Sequence, residues 1–135
     1  MAASALIPAA GRGERLGRPG NKVFAAIAGK PILAHTLSVF ESCEAIDQIV
    51  LVVGEREIEA SGELVCRYGF GKVSDIVAGG AHRQDSVRQG LDKVGGDVVA
   101  IHDAARPLVT CGIIENSLRQ ARRDGACITA VPARD

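Results

Sequence analysis

Short apolar runs alternate with segments of helical spacing along the whole sequence, and this alternation constrains the fold more than any other feature. The apolar runs, which we predict to be strands, are residues 5–8, 48–53, 73–78, 97–101 and 126–131. The segments predicted to be helices are residues 31–40, 55–67, 84–94 and 112–123. Strands that alternate with helices form βαβ units. We therefore predict an α/β fold, a mostly parallel sheet with helices on both faces, as one domain over residues 1–135.

Distinctive polar segments follow three of the predicted strands, at residues 9–17, 79–86 and 102–107. The carboxyl ends of parallel strands meet at one edge of a sheet, and ligands bind there, where the strand order reverses. We therefore expect these three loops to form the functional site.

Charge and hydropathy exclude several classes of partner. The 16 Lys and Arg residues balance 16 Asp and Glu residues, so no broad attraction to nucleic acid or to an anionic membrane is expected. No run approaches the roughly 18 apolar residues of a membrane span. The first residues lack the basic region of a secretory signal. We expect a cytoplasmic protein that binds neither nucleic acid nor membrane.

The four cysteines, Cys43, Cys66, Cys111 and Cys127, include no CxxC pair. In a reducing compartment, this pattern favours buried or incidental thiols over a metal site or a disulfide.

The first loop combines glycines with basic residues. Gly11 and Gly13 allow successive backbone N–H groups to point into one concavity that binds phosphate oxygens, and Arg15 and Lys22 flank this segment. The same residues are compatible with a tight strand-to-helix turn and with solvated surface charges. A dinucleotide fingerprint fits poorly, because Gly17 stands one residue too late for GxGxxG.

The second and third loops contain further candidates, each with a structural alternative. The paired glycines Gly79 and Gly80 permit a close backbone approach and Ser86 offers a hydroxyl, but these residues also suit a glycine turn before a helix. Asp103 follows a predicted buried strand, where a carboxylate can hold Mg²⁺ beside phosphates. Asp103 and Arg106 can equally pair with each other. For His102, a structural role is favoured over a functional one.

Taken in order, AAGRGERLG, Lys22, GKPILAHTL, GGAHRQDSV and HDAARP resemble the 2-C-methyl-D-erythritol 4-phosphate cytidylyltransferase family of the non-mevalonate isoprenoid pathway. The resemblance covers essentially the whole chain. It implies a Rossmann-like nucleotidyltransferase fold, CTP as donor, a small phosphate monoester as acceptor and Mg²⁺ as cofactor.

The resemblance also assigns roles to individual residues. It assigns Arg15 and Lys22 to stabilisation of the transition state and Asp103 to Mg²⁺. The positions that it places at the nucleotide are Ala9, Ala10, Gly11, Gly13, Gly80, Arg83, Ser86, Ala104 and Arg106, with the roles of the two arginines left open. The sequence departs from the family pattern at Asn21, where many relatives have proline, and at Val23, where they have glutamine.

The family pattern continues beyond the last residue, so we expect the acceptor-binding and dimerising parts to be missing and the full-length form to be a homodimer. Three alternatives stay open. The first is the same reaction with another acceptor, as in a ribitol- or glycerol-phosphate cytidylyltransferase or a sugar nucleotidyltransferase. The second is a non-catalytic CTP-binding fragment. The third is a dehydrogenase-like dinucleotide binder.

Overall fold

A computed structural model describes residues 2–11 and 21–133. Its strands are β1 (Ala3–Pro8), β2 (Ala26–Ile27), β3 (Lys30–Pro31), β4 (Gln48–Val53), β5 (Val73–Ala78) and β6 (Val98–Ile101). Its α-helices are α1 (Ile32–Ser42), α2 (Ile58–Tyr68), α3 (Arg83–Leu91) and α4 (Cys111–Asp124). No helix in these described ranges is long and apolar enough to cross a membrane.

Four strands form one parallel sheet in the order β5-β4-β1-β6. The central strands β1 and β4 are almost fully buried, as their continuous apolar runs predict for strands covered on both faces. From β1 the chain moves outward through β4 to β5 and then returns to place β6 on the other side of β1. The strand order therefore reverses beside β1, and the carboxyl end of β1 is where a ligand site is expected.

Helices cover both faces of the sheet. On one face, α3 packs over β1 and β4, where Leu6, Val50 and Val52 form a small apolar cluster. On the other face lies the larger core, in which Leu37 of α1, Leu64 of α2 and the apolar residues of α4 pack together. This arrangement confirms the predicted fold class.

Most predicted elements are present with small shifts at their ends. The strands predicted at 48–53 and 73–78 have these bounds in the structure. The helix predicted over 55–67 begins as a 3-10 turn at Glu55–Glu57 before α2. The helix predicted over 84–94 already ends at Leu91.

The sequence analysis missed the small hairpin of β2 and β3. Its turn residues Ala28 and Gly29 both have positive φ, at 52° and 78°, as the central residues of a type I′ turn require. Alanine is unusual there, so the dipeptide gives a weak signal. The hairpin directs the chain into α1, whose N-cap is Pro31.

The strand predicted at residues 126–131 is wrong, because the described part of this segment has no strand partner. Ile128 and Val131 are 91% and 85% exposed. The segment instead touches α4, where the Cys127 thiol donates to the Ser117 carbonyl oxygen at 3.1 Å. β-Branched residues favour a strand only where a neighbouring strand completes the hydrogen-bond ladder.

Candidate functional site

Three loops are anchored at the carboxyl edge of the sheet by backbone hydrogen bonds that continue the strand ladders. The Ala9 N–H donates to the Val52 carbonyl oxygen at 2.6 Å, and the Gly79 N–H donates to the Val53 carbonyl oxygen at 2.8 Å. The Ala104 N–H donates to the carbonyl oxygen of the last residue of β1 at 3.1 Å. The three polar segments therefore meet at one edge, as the sequence predicts.

Asn21 fixes the end of the first loop. Its side-chain amide donates to the Ala9 carbonyl oxygen, and its Oδ1 atom accepts a hydrogen bond from the Val23 N–H at 3.2 Å. The first hydrogen bond connects Asn21 to the residue after β1. The second caps the start of a short 3-10 helix, Lys22–Phe24. Lys22 follows directly, with an exposed side chain. Sequence reasoning noted Asn21 only as a departure from the family pattern.

The structure describes three of the other residues predicted in this loop. Ala9 is buried and Ala10 half-buried. Gly11 is exposed, and a Cβ atom there would meet no atom of the described residues within 4 Å. Gly13 and Arg15 lie outside the described residues, and their roles stay predictions.

Gly79 brings the second loop against the first. A Cβ atom at Gly79 would lie 2.5 Å from Ser86 Oγ and 2.8 Å from the Ala10 Cβ, closer than real Cβ atoms approach. Gly80 is similarly crowded, because a Cβ atom there would overlap the Asp85 side chain. Glycine at both positions lets the backbone pass close to the start of α3. This crowding confirms the close backbone approach predicted for the paired glycines.

Asp103 in the third loop forms an ion pair with the second. Arg83 Nη2 lies 2.6 Å from Asp103 Oδ1, and Arg106 Nε lies 3.6 Å from Asp103 Oδ2. Arg83 follows β5 and Asp103 follows β6, the strands at opposite ends of the sheet order. The main partner of Asp103 is thus Arg83, and the pairing with Arg106 that the sequence allowed is the looser contact.

His102 and Ala104 have structural positions. His102 Nε2 is 2.9 Å from the Arg106 carbonyl oxygen, and its ring centroid lies 5.3 Å from that of Phe40, as its predicted structural role requires. Ala104 is 1% exposed, and its carbonyl oxygen accepts a buried hydrogen bond of 2.7 Å from Thr36 Oγ1. The Ala104 side chain packs in the core below the loop, and its place at the nucleotide stays a prediction.

Thr36→Val should destabilise the protein by about 1–3 kcal/mol, because the buried Ala104 carbonyl oxygen loses the hydroxyl that donates to it. Urea unfolding measures the change, and hydrogen exchange at the amides of residues 102–106 should accelerate. Thr36→Ser keeps the hydroxyl and serves as the control, with exchange in this loop close to that of the parent. Equal loop exchange in the two variants would contradict the assigned role.

A parallel sheet whose order reverses beside β1, with a glycine-bearing loop and a carboxylate at that point, is typical of the Rossmann-like fold that nucleotidyltransferases share. The family model for 2-C-methyl-D-erythritol 4-phosphate cytidylyltransferase matches residues 3–135, and the chain belongs to this family. The resemblance inferred from the ordered motifs is thereby confirmed.

Individual relatives agree. The cytidylyltransferase of that name from Alkaliphilus oremlandii is 50% identical over 98% of this chain and 57% of its own length. The one from Clostridium botulinum is 49% identical over 98% of this chain and 58% of its own length. The crystal structure of 4-diphosphocytidyl-2C-methyl-D-erythritol synthase from Anaerococcus prevotii has a TM-score of 0.75 at 25% identity, covering 90% of this chain and 51% of that one. The chain thus spans little more than half the length of these relatives.

Proposed function

We propose that the complete protein transfers CMP from CTP to 2-C-methyl-D-erythritol 4-phosphate and releases pyrophosphate. Family membership supports the reaction. The observation that carries the proposal for this chain is the Arg83–Asp103 ion pair, which joins the second and third loops beside the carboxyl end of β1. A cationic and an anionic side chain, Arg83 and Asp103, therefore lie where a nucleoside triphosphate and its metal cation would bind.

The chemical obstacle in this reaction is electrostatic. A phosphate monoester has a second pKa near 6, so at neutral pH the acceptor is mostly a dianion and needs no general base. Its oxygen must approach the α-phosphorus of CTP, which is surrounded by further negative charge, and pyrophosphate must leave. Lys22, Arg15 and the amides of the first loop would hold the phosphates and stabilise the charge that develops. Arg83 and Arg106 lie at the same edge and add positive charge.

Mg²⁺ is the cofactor that this proposal includes, and Asp103 is the residue that would hold it. One carboxylate, together with phosphate oxygens and water, is a donor set that Mg²⁺ accepts. The Asp103 and Arg83 side chains are 40% and 58% exposed, and exposed ion pairs contribute only about 0–1 kcal/mol, so the carboxylate can exchange Arg83 for a cation. When bound, the ion would supply positive charge beside the phosphates.

In this proposal, the second loop selects cytosine over other bases. Because the Ala104 and Ser86 side chains are both buried, the group left to face the base and ribose is the exposed backbone around Gly80. Ser86 is 3% exposed and lies against the first loop, which keeps this part of the site narrow. A narrow pocket with backbone donors and acceptors suits a pyrimidine edge better than a purine.

Asp103→Asn tests the cation site. The variant should bind CTP about 10-fold more weakly than the parent in the presence of Mg²⁺, since one charged contact is lost. Its affinity for CTP should also no longer depend on Mg²⁺. Titration calorimetry with and without EDTA measures both effects, and Asp97→Asn, an exposed carboxylate just before β6, is the matched control. An unchanged Mg²⁺ dependence in Asp103→Asn would exclude this carboxylate as the ligand.

Pyrophosphate release tests the acceptor. A protein that contains this chain and the segment that its relatives carry beyond it should release pyrophosphate with 2-C-methyl-D-erythritol 4-phosphate and not with ribitol or glycerol phosphate. Preference for either of the latter would replace the proposed acceptor. Binding of CTP without turnover in the longer protein would favour a binding module instead.

A further inference from the structure

Cys43 and Cys111 lie in direct contact, although 68 positions separate them in sequence. Cys43 directly follows α1 and is fully buried, and Cys111 is the first residue of α4 and half-buried. Their Sγ atoms are 2.6 Å apart. Non-bonded carbon atoms rest about 3.5–4.0 Å apart, and sulfur is larger than carbon. The two thiols are thus closer than an ordinary packing contact.

We propose that Cys43 and Cys111 form an intramolecular disulfide that joins the end of α1 to the start of α4 and restrains the loop between β6 and α4. The loop that contains Asp103 ends directly before α4, so the bond would fix the point where this loop enters the helix. The first half of the loop already contacts α1, through the hydrogen bond from Thr36 Oγ1 to the Ala104 carbonyl oxygen. The disulfide would add a covalent restraint at its other end.

A metal site is the rival interpretation of the same residues. Glu115 Oε1 lies 3.4 Å from Cys111 Sγ, and Cys43, Cys111 and Glu115 are close enough together to offer three ligands to one ion. Two thiolates on a tetrahedral zinc ion, each about 2.3 Å from it, are about 3.8 Å apart. The two sulfur atoms are in direct contact, which leaves no space for an ion between them, and the cluster offers three ligands among the described residues where structural zinc takes four. The contact therefore favours the disulfide.

The oxidant that the proposal requires is a low-molecular-weight disulfide, RSSR. One cysteine sulfur, as thiolate, attacks RSSR, so a protein–SR bond forms, the RS–SR bond breaks, and RS⁻ takes up a proton. The second cysteine sulfur attacks the bound sulfur of the first, which forms the protein disulfide and releases the second RSH. Two electrons and two protons pass from the two thiols to RSSR, which leaves as two RSH.

The environment of Cys111 sets the pH at which this reaction is fast. A hydrogen bond with Cys43, burial and the nearby Glu115 carboxylate raise the pKa of Cys111 to about 12. Lys72 faces the pair from the segment before β5, where its Nζ donates to the Cys43 carbonyl oxygen at 2.9 Å. Because the thiolate of Cys111 is scarce below its pKa, attack through this sulfur should accelerate about 10-fold for each pH unit from 7 to 9.

Oxidised glutathione at pH 8 is the direct test. Incubation of the full chain should yield a peptide in which Cys43 and Cys111 are linked, as measured by non-reducing mass spectrometry, while the exposed Cys66 forms a mixed disulfide with glutathione. Closing so long a loop should raise Tm by about 10 °C, reversibly on reduction. The double variant Cys66→Ser/Cys127→Ser should form the link and gain stability like the parent, whereas Cys111→Ser should neither form the link nor gain stability.

Two results would overturn the proposal. Glutathione that stays attached to the protein without a link between Cys43 and Cys111 would show that the second attack does not occur. Zinc that binds the reduced chain, blocks oxidation and is lost in Glu115→Gln would assign the cluster to a metal.

Discussion

Lys22→Ala is expected to lower kcat of the complete protein by about 10²–10³-fold, the usual effect of removing one donor that stabilises charge in a transition state. Lys22 is exposed beside the end of β1, because Asn21 binds the Ala9 carbonyl oxygen and begins the 3-10 helix that contains the lysine. An ammonium group at this position can stabilise the negative charge that develops on the departing pyrophosphate. Ground-state CTP keeps its other contacts, so its affinity should change only a few-fold.

Steady-state pyrophosphate release and calorimetry with CTP separate the two quantities. Lys93→Ala is the matched control, since this lysine is also exposed but lies near the amino ends of the strands, where its carbonyl oxygen accepts from Gln48. The control should retain the parent kcat. Arg15→Ala should behave like Lys22→Ala if the family resemblance assigns both residues correctly. A Lys22→Ala variant that turns over normally but binds CTP poorly would assign this lysine to ground-state binding alone.

Gly90→Val should destabilise the protein by about 3 kcal/mol, at the upper end of the cost of overpacking a core. Gly90 is buried in α3 against the sheet. A Cβ atom there would overlap Leu6 and lie 2.8 Å from Val52 Cγ2, and both side chains belong to the central strands. Those strands are fixed by their neighbours, so α3 itself would have to move away.

Gly62→Val provides the control, because Gly62 is also helical, in α2, and a Cβ atom there would meet no atom of the described chain within 4 Å. Valine has a slightly better helix propensity than glycine, so Gly62→Val should be neutral or stabilising by about 0.4 kcal/mol. Denaturant unfolding compares the two variants. Since α3 also begins with Arg83 and contains Ser86, Gly90→Val should in addition weaken CTP binding. Similar stability losses in both variants would mean that the close approach at Gly90 is not the cause.

The location of the predicted site residues at one edge of the sheet was predictable because they follow strands that the sequence marks clearly. The β-branched run at 48–53 and the run at 97–101 are long enough to predict buried strands, and polar residues that come directly after such strands reach the same edge. Ala9, Gly80, Asp103 and the others were therefore found as a group before their contacts were known. The role of Asn21 was not predicted, since it depends on which backbone carbonyl lies opposite its side chain.

The contact partners of the predicted site residues could not be predicted from the sequence. Arg83 and Asp103 are separated by 20 positions and follow strands at opposite ends of the sheet order, so their pairing depends on how α3 sits on the sheet. The thiols of Cys43 and Cys111 meet only because the end of α1 lies beside the start of α4. The strand predicted at 126–131 shows the converse, since its composition suits a strand but no neighbouring strand is present in the described chain to pair with it.

Sequence by itself determined the fold class, the family and the edge of the sheet at which the chemistry is proposed, because hydrophobic periodicity and ordered motifs are local properties of a chain. Tertiary structure alone decided that Asp103 pairs first with Arg83, that the Ala104 side chain belongs to the core, and that two cysteines touch. Those contacts join residues that lie far apart along the chain. Their geometry is set by the packing of helices on the sheet, which no local pattern records.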